Sequence, residues 1–546
     1  MAIARRGDAI QDVLQWRQCR GPAGDCMKTK SGSGLREKGR SETAISVTLR
    51  AIRTRWRRMA AISAALLVPC FWHTQIEAGD LGSHAYNAWL AQLIEKRDAP
   101  GLYIARQWDN VMFDAVLLRL GGWVGFVWAQ KIAVAACVLI FFWGAFAFIS
   151  ATARRAPWFL APGIAMIAYG WTFQMGFMNY YLSLGFAFGA AALFWRGRGA
   201  DWVAGIALAA LAFVAHPLGL LWLVGILVYV KAAEALRGGA RWFAPAAAVL
   251  AILGTRNFID HRFRIASPET THFYFYTGAD QIVLFGARYA WLAIAMIALG
   301  AATCLFGAIA DRARSDSRWG FRVPLELWAL SLFAAAILPD AVFLPQYAAP
   351  AALLIPRLTS TTAVLALCLV GCIEPRWWHL FGLTLCAMIF FTWIYQDTGR
   401  LNGMEAQADA LVSGLPPGQR VIASIWFPLP AGADTAPAGT ADAHFFGTEN
   451  IGHIADRACI GRCFSYANYE PSSRQFRVRI AGQSPIVTNS ADDASLMQNG
   501  RYVVRPEDLP MAQICQCDAA DRTKLCLREL KAGDVNGQGC YRPPHL

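Results

Sequence analysis

The chain has 546 residues, of which 56% are hydrophobic and 16% charged, with a formal net charge of +13. Water-soluble domains carry about 25% charged residues, so the composition excludes an ordinary soluble protein and fits repeated apolar stretches near bilayer length. The positive charge sits in short clusters between apolar runs, the pattern of cytoplasmic membrane loops, and this distribution excludes nucleic acid as a partner.

Residues 1–58 are polar, basic and rich in Gly, Ser and Arg, and are expected to form a disordered cytoplasmic tail. The first apolar run begins near Met59, too late for a cleaved signal sequence, and Met27 and Met59 are alternative starts. Apolar segments then recur at 59–76, 128–150, 157–173, 177–195, 202–215, 217–231, 242–258, 288–310, 324–338, 351–373 and 377–396. They predict an all-α polytopic body over 59–396 with about eleven transmembrane helices. Arg53, Arg55, Arg57 and Arg58 precede the first segment and hold the N-terminus in the cytoplasm. Every second loop is basic thereafter: Arg154 and Arg155, Arg196 and Arg198, Lys231, Arg237 and Arg241, Arg312, Arg314, Arg318 and Arg322, then Arg376. The alternation predicts that 77–127, 259–287 and the chain beyond about 397 lie on the outer side of a bacterial-type inner membrane.

The first outer loop, 77–127, contains two amphipathic stretches, 84–97 and 110–120, parted by the turn Pro100-Gly101. Both are expected to lie in the interface plane. The second long outer loop is aromatic at His272 to Tyr276. Past Asp397 the composition changes, and alternating runs at Val421 to Trp426, Gln475 to Ile480 and Tyr502 to Arg505 predict a small α/β or mainly β domain over 397–546. Six of the fourteen cysteines fall there: Cys459, Cys463, Cys515, Cys517, Cys526 and Cys540. In an oxidising compartment an even set reads as up to three disulfides. The Cys459-x3-Cys463 and Cys515-x-Cys517 spacings also suit zinc, and topology favours the disulfides.

Chemistry concentrates just past the first segment, in Glu77-Ala-Gly-Asp80-Leu-Gly-Ser83-His84. Two carboxylates and a histidine there meet the needs of a general base at a site that partly excludes water. The alternative is structural, with Ser83 capping the following helix and Asp80 complementing its dipole. Arg357 falls about two turns inside the tenth apolar segment, where an ionisable group is costly and marks a functional site unless it snorkels to the interface. Arg288, Arg256, Arg262 and Arg106 are further cations near the outer boundary. His216-Pro217 reads as an interfacial turn, and Asn179, Tyr180 and Tyr181 as part of an aromatic belt or as ligands for sugar hydroxyls. The run His453 to Glu470 is the densest polar and aromatic stretch of the last domain, either a stapled loop or a glycan-binding surface.

An acidic motif opening a long first outer loop, two interfacial helices, about eleven spans and an outer C-terminal domain together resemble the GT-C superfamily of glycosyltransferases, which includes protein O-mannosyltransferases and aminoarabinose transferases. The resemblance covers roughly 59–396. It implies an inverting transfer from a polyprenyl-phosphate sugar to a glycan, lipid or protein acceptor, with the bilayer as the other partner. Asp80 would then be the catalytic base assisted by His84 or Glu77, and Arg357, Arg288, Arg256 and Arg106 would meet the phosphate. Asn179, Tyr180 and His216 complete the expected substrate-binding set. Neither a metal nor a soluble cofactor is expected: Glu77 and Asp80 are three apart rather than an Asp-x-Asp, and no phosphate-cradling Gly-rich loop follows a strand. Transporters place charge near the midplane and often repeat their halves, and neither feature is present. A non-catalytic assembly protein is the other alternative.

Overall fold

The computed structural model describes residues 44–197, 199–236, 238–267, 276–311, 318–374, 376–425, 450–518 and 521–537. The tail before residue 44, Arg198, Arg237, Arg312, Arg314, the aromatic residues 272–275 and Cys540 lie outside them.

The described chain is mostly helical. In a hydrocarbon solvent each backbone N–H and C=O must be satisfied within its own segment, so long apolar runs become helices. Helix α1 (Ala44–Phe71) is followed by two loop helices, α2 (Leu81–Lys96) and α3 (Met112–Val124). The body continues as α4 (Phe126–Ala153), α5 (Ala161–Ala168), α6 (Met178–Arg196), α7 (Ala200–Ala215) and α8 (Pro217–Ala235). It ends with α9 (Phe243–Arg262), α10 (Ala287–Asp311), α11 (Arg318–Ile337), α12 (Leu354–Gly371) and α13 (Trp377–Val412).

Among the described residues six helices are both long and apolar enough to cross a membrane, those at 126–153, 217–235, 238–262, 287–307, 354–371 and 377–412. The eleven apolar runs do not all become such helices, and the reasons are local. The run 157–173 breaks into Trp158–Leu160, α5 and Trp171–Gln174, and at Gly170, between the last two, a Cβ would lie 2.5 Å from the Gln281 carbonyl oxygen of a packed loop. Helix α7 has only 16 residues. The segment at 238–262 is 6% buried over its apolar window, and Phe243, Leu250 and Phe258 stand exposed along it. A monomer in water does not display that much apolar surface. The apolar helices mark a membrane protein.

The helices share two ends of opposite character. At the basic end the Arg155 guanidinium donates to the Gly371 carbonyl, and Arg58 lies 4.9 Å from the Trp158 ring centre. The opposite end carries the acidic motif and the last domain. Helix α13, 36 residues long, runs through the expected boundary at 397 and carries the chain into that domain.

Strands β1 (Leu102–Ile104), β2 (Arg264–Ala266) and β3 (Ala341–Phe343) belong to loops of the body. The domain supplies β4 (Arg420–Ser424), β5 (Phe464–Ser465), β6 (Val478–Ile480), β7 (Met511–Gln516) and β8 (Leu525–Glu529), together with helix α14 (Ile454–Cys459). Its sheet has the order β5-β4-β7-β8, with β4 parallel to both neighbours and β7 antiparallel to β8. The domain is therefore of mixed α/β type, and it is not detached from the body. Strand β1 pairs antiparallel with β6, Tyr103 opposite Arg479. Tyr86, Leu90 and Ala91 of α2 share one apolar cluster with Ile454 and Ala455 of α14 and Met404 of α13. Helix α2 is thus roofed by the domain instead of lying open at an interface.

Helices α4 and α6 meet backbone to backbone. A Cβ on Gly144 would fall 2.2 Å from the Gly185 carbonyl oxygen, whereas one on Gly225 of α8 meets nothing within 4 Å. Small residues set such approaches in membrane bundles. Gly144→Leu is expected to cost more than about 2 kcal/mol and to lower the thermal midpoint in detergent, with Gly225→Leu unchanged. Equal midpoints for the two variants would refute this packing.

Candidate functional site

The acidic motif is fastened by its backbone. Gly79 N–H donates to the Gln174 carbonyl (2.7 Å) and Asp80 N–H to that of Met175 (3.0 Å). No side chain fits the seam: a Cβ on Gly79 would lie 2.5 Å from Met175 O, and one on Gly176, at φ +74°, 2.5 Å from Asp80 N. Asp80 stands at the N-terminus of α2 with its side chain 25% exposed.

Two elements converge on it. From α14 and the turn before it, His453 Nε2 lies 3.4 Å from Asp80 Oδ1, while His453 Nδ1 lies 2.6 Å from Asp456 Oδ2. Burial alone would push this imidazole down, but its hydrogen bonds to Asp456 and Asp80 outweigh that and hold it up at about 10. His453 is thus a buried imidazolium between two carboxylates. Gly82 passes beneath it, where a Cβ would be 3.0 Å from the His453 carbonyl oxygen. From α12 comes Arg357, whose guanidinium carbon is 4.1 Å from the Phe177 ring centre and 5.9 Å from that of Tyr180. Asp80 and Tyr469 both act on it electrostatically, and its buried Nε has no hydrogen-bond partner. Arg357 sits in the first turn of α12, because residues 351–353 are not helical and Leu353 turns left-handed at φ +58°. It stands nearer the helix end than the sequence suggested.

A second cluster adjoins the first. His84 Nδ1 lies 2.7 Å from Asp114 Oδ1, Asn179 Nδ2 donates to Asp114 Oδ2 (2.7 Å), and Asn179 Oδ1 accepts from Phe113 N–H (2.8 Å). Burial works against the charged form of His84, and the carboxylates of Asp114, Glu470 and Asp80 overcome it to hold the imidazole at about 9. Ser83 does not cap α2, and its hydroxyl donates to Glu470 Oε1 at 2.6 Å. Burial raises Glu470 to about 7. A small cavity of about 30 Å³ opens here between Asn87, Asp114, Glu470 and Arg477.

The remaining expected residues have other occupations. Glu77 is buried, 3.5 Å from Arg457 Nη1, and accepts from Asn402 Nδ2 at 3.0 Å, so it ties elements together instead of facing the opening. Arg288 is taken up by Asp397 at 2.5 Å. Arg256 donates to the Ile337 carbonyl, and Arg106 lies over Trp108. The Tyr180 hydroxyl donates to the Arg357 carbonyl at 2.7 Å and so helps place that arginine. His216 caps α8, its Nδ1 accepting from Leu218 N–H. Cys459 and Cys463 form a disulfide at the end of α14 and Cys515 is also disulfide-bonded, while Cys517 and Cys526 are free thiols. Among the described residues no three His, Cys, Asp or Glu side chains come together as a metal site.

Asp114, the partner of His84, was not singled out in the sequence, since 30 residues separate the two and neither carries a local signal for the other. The run from His453 to Glu470 reads in the sequence as a stapled loop or a glycan-binding surface, and not as the partner of Asp80. No family model, curated protein or solved structure matches the chain.

The two histidines fix a sign for stability against pH. Each is raised from an ordinary 6.5, so its contribution is complete below about pH 6.5 and is lost as pH rises through about 9 for His84 and about 10 for His453. Glu470, an acid raised to about 7, also disfavours folding as it ionises between its ordinary 4.5 and 7. The thermal midpoint should therefore fall between pH 6.5 and 10. His453→Gln should flatten the alkaline part of that fall, and a parallel profile would show that His453 is not a buried imidazolium.

Proposed function

We propose that the protein is an integral membrane glycosyltransferase that moves a sugar from a polyprenyl-phosphate donor to an acceptor hydroxyl at the outer face of a bacterial-type inner membrane. The basic loops support an inward orientation of the Arg155 end, which puts Asp80 and the last domain outside. One observation carries the reading. A partly exposed carboxylate, Asp80, fastened by backbone contacts, acts electrostatically on an arginine whose buried Nε has no partner.

In this mechanism His453 engages Asp80 Oδ1, and among the described residues no hydrogen bond is made to Oδ2. Oδ2 accepts the acceptor's hydroxyl proton as that oxygen attacks the anomeric carbon. The bond from the anomeric carbon to the phosphate oxygen breaks on the opposite face, giving inversion, and the electron pair leaves with the polyprenyl phosphate. Arg357 meets the charge that develops there. The Phe177 and Tyr180 rings flank its guanidinium, so little water competes for it. Asp456 keeps His453 charged and oriented, and Tyr180 holds the Arg357 backbone. These are positioning roles.

The test is transfer by purified protein from a polyprenyl-phosphate sugar to membrane acceptors. Asp80→Asn should lower turnover by about 10²–10⁴-fold and Arg357→Ala by about 10²–10³-fold, while exposed Asp98→Asn is expected to match the unaltered chain. Full transfer by Asp80→Asn would end the proposal.

A further inference from the structure

A cavity of about 400 Å³ lies inside the helix bundle, among α5, α10, α11, α12 and α13. Its wall is almost wholly apolar, with Gly163, Gly300, Leu367 and Leu383 among the lining residues. Along α12 it reaches from Ala363 to Val370, seven residues or roughly 10 Å of helix. An apolar space of this size does not hold ordered water. It is within the range of small-ligand sites.

Two of the polar lining residues have unsatisfied groups. Trp328 Nε1 and His379 Nε2 are both buried and have no hydrogen-bond partner. His379 is 2% exposed. The protonation of its ring follows from the cap of α13: Nδ1 accepts from the Arg376 N–H at 3.0 Å, so in the neutral ring the hydrogen is on Nε2. The two unsatisfied groups are therefore both donors, and each costs about 1–3 kcal/mol unless an acceptor reaches it. A bare hydrocarbon chain would fill the volume and satisfy neither. A fatty-acyl ester fills it and brings carbonyl oxygens.

The location narrows the ligand further. His379 lies three residues beyond Arg376, at the end where Arg155 binds the Gly371 carbonyl, away from Asp80. We propose that the cavity binds one acyl chain of an anionic diacyl phospholipid, with its ester oxygens accepting from Trp328 and His379 and its headgroup toward the basic end. A polyprenyl phosphate has no ester oxygens on its chain, so this site is separate from the donor site proposed above and independent of the chemistry there.

The full chain, purified in mild detergent and stripped of lipid, would be titrated with palmitoyl-oleoyl phosphatidylglycerol and read by native mass spectrometry. The expected result is one tightly held lipid per chain, not displaced by undecaprenyl phosphate. Gly300→Phe projects a ring from a position where a Cβ meets nothing within 4 Å, and should abolish retention while leaving the fold intact. Trp328→Phe keeps the shape, removes one donor and should weaken binding about five-fold. Equal retention by Gly300→Phe and the unaltered chain would overturn the proposal. So would displacement by undecaprenyl phosphate, no loss in Trp328→Phe, or retention of detergent only.

Discussion

Arg457 is the residue on which the arrangement of the opening depends. Its Nη1 lies 2.9 Å from Glu405 Oε1 of α13 and 3.5 Å from Glu77 Oε2, and its Nη2 donates to the Ile76 carbonyl at 3.0 Å. One guanidinium thus joins the segment after α1, the extension of α13, and α14. Both carboxyls are buried, and burial raises each of them; Glu405 reaches about 8. Removing Arg457 would leave two desolvated acids facing each other, which is far more destabilising than losing a surface ion pair. The same helix presents His453 one turn earlier. The tie that holds the domain down therefore also sets the imidazole against Asp80.

That arrangement explains why Glu77 was misleading in the sequence. An acid three residues from Asp80, just past an apolar segment, has the local signature of a second catalytic carboxylate. Its actual partners, Asn402 and Arg457, are 325 and 380 residues away and have no local trace. The same holds for Asp114 with His84 and for His453 with Asp80. Arg357 stands out in the sequence because a cation in an apolar run violates a local rule, whereas Asp80 at a helix start obeys one and stands out only by its place just past an apolar segment. The membrane class was legible from composition alone. The number of spanning helices was not, because a hydropathy average does not register where an apolar run is interrupted, as 157–173 is, or how short its helix is, as at α7. The roofing of α2 was equally invisible, since an amphipathic face reads the same whether a lipid surface or a protein domain covers it.

The two histidines divide the polar interior into parts with different freedom. His84, Asp114 and Asn179 form a closed set, each side chain satisfied by another and by the Phe113 N–H. Such a set fixes geometry, here the angle between α2, α3 and α6. The set around Asp80 is open, because the carboxylate is partly exposed and the Arg357 Nε lacks a partner. A fully satisfied network rigidifies, and in a partly satisfied one the unpaired buried group carries a cost.

Charge balance gives the open set a direction. The carboxyls of Asp80, Asp114, Asp456 and Glu470 share one region with the cations of His84, His453 and Arg357. Ionised Glu470 adds negative charge to this region, and a phosphate entering beside Arg357 would meet a more negative field. With Glu470 neutral that added repulsion is absent. Burial holds Glu470 at about 7, so near neutral pH both states are populated and the difference between them is small. An incoming dianion disfavours every neighbouring carboxylate and favours protonation of the one that yields most easily. Among these carboxyls Glu470 is the one that burial raises, to about 7. On the proposed reading, an anion bound beside Asp80 would favour proton uptake at Glu470, and a protonated Glu470 would in turn favour the anion.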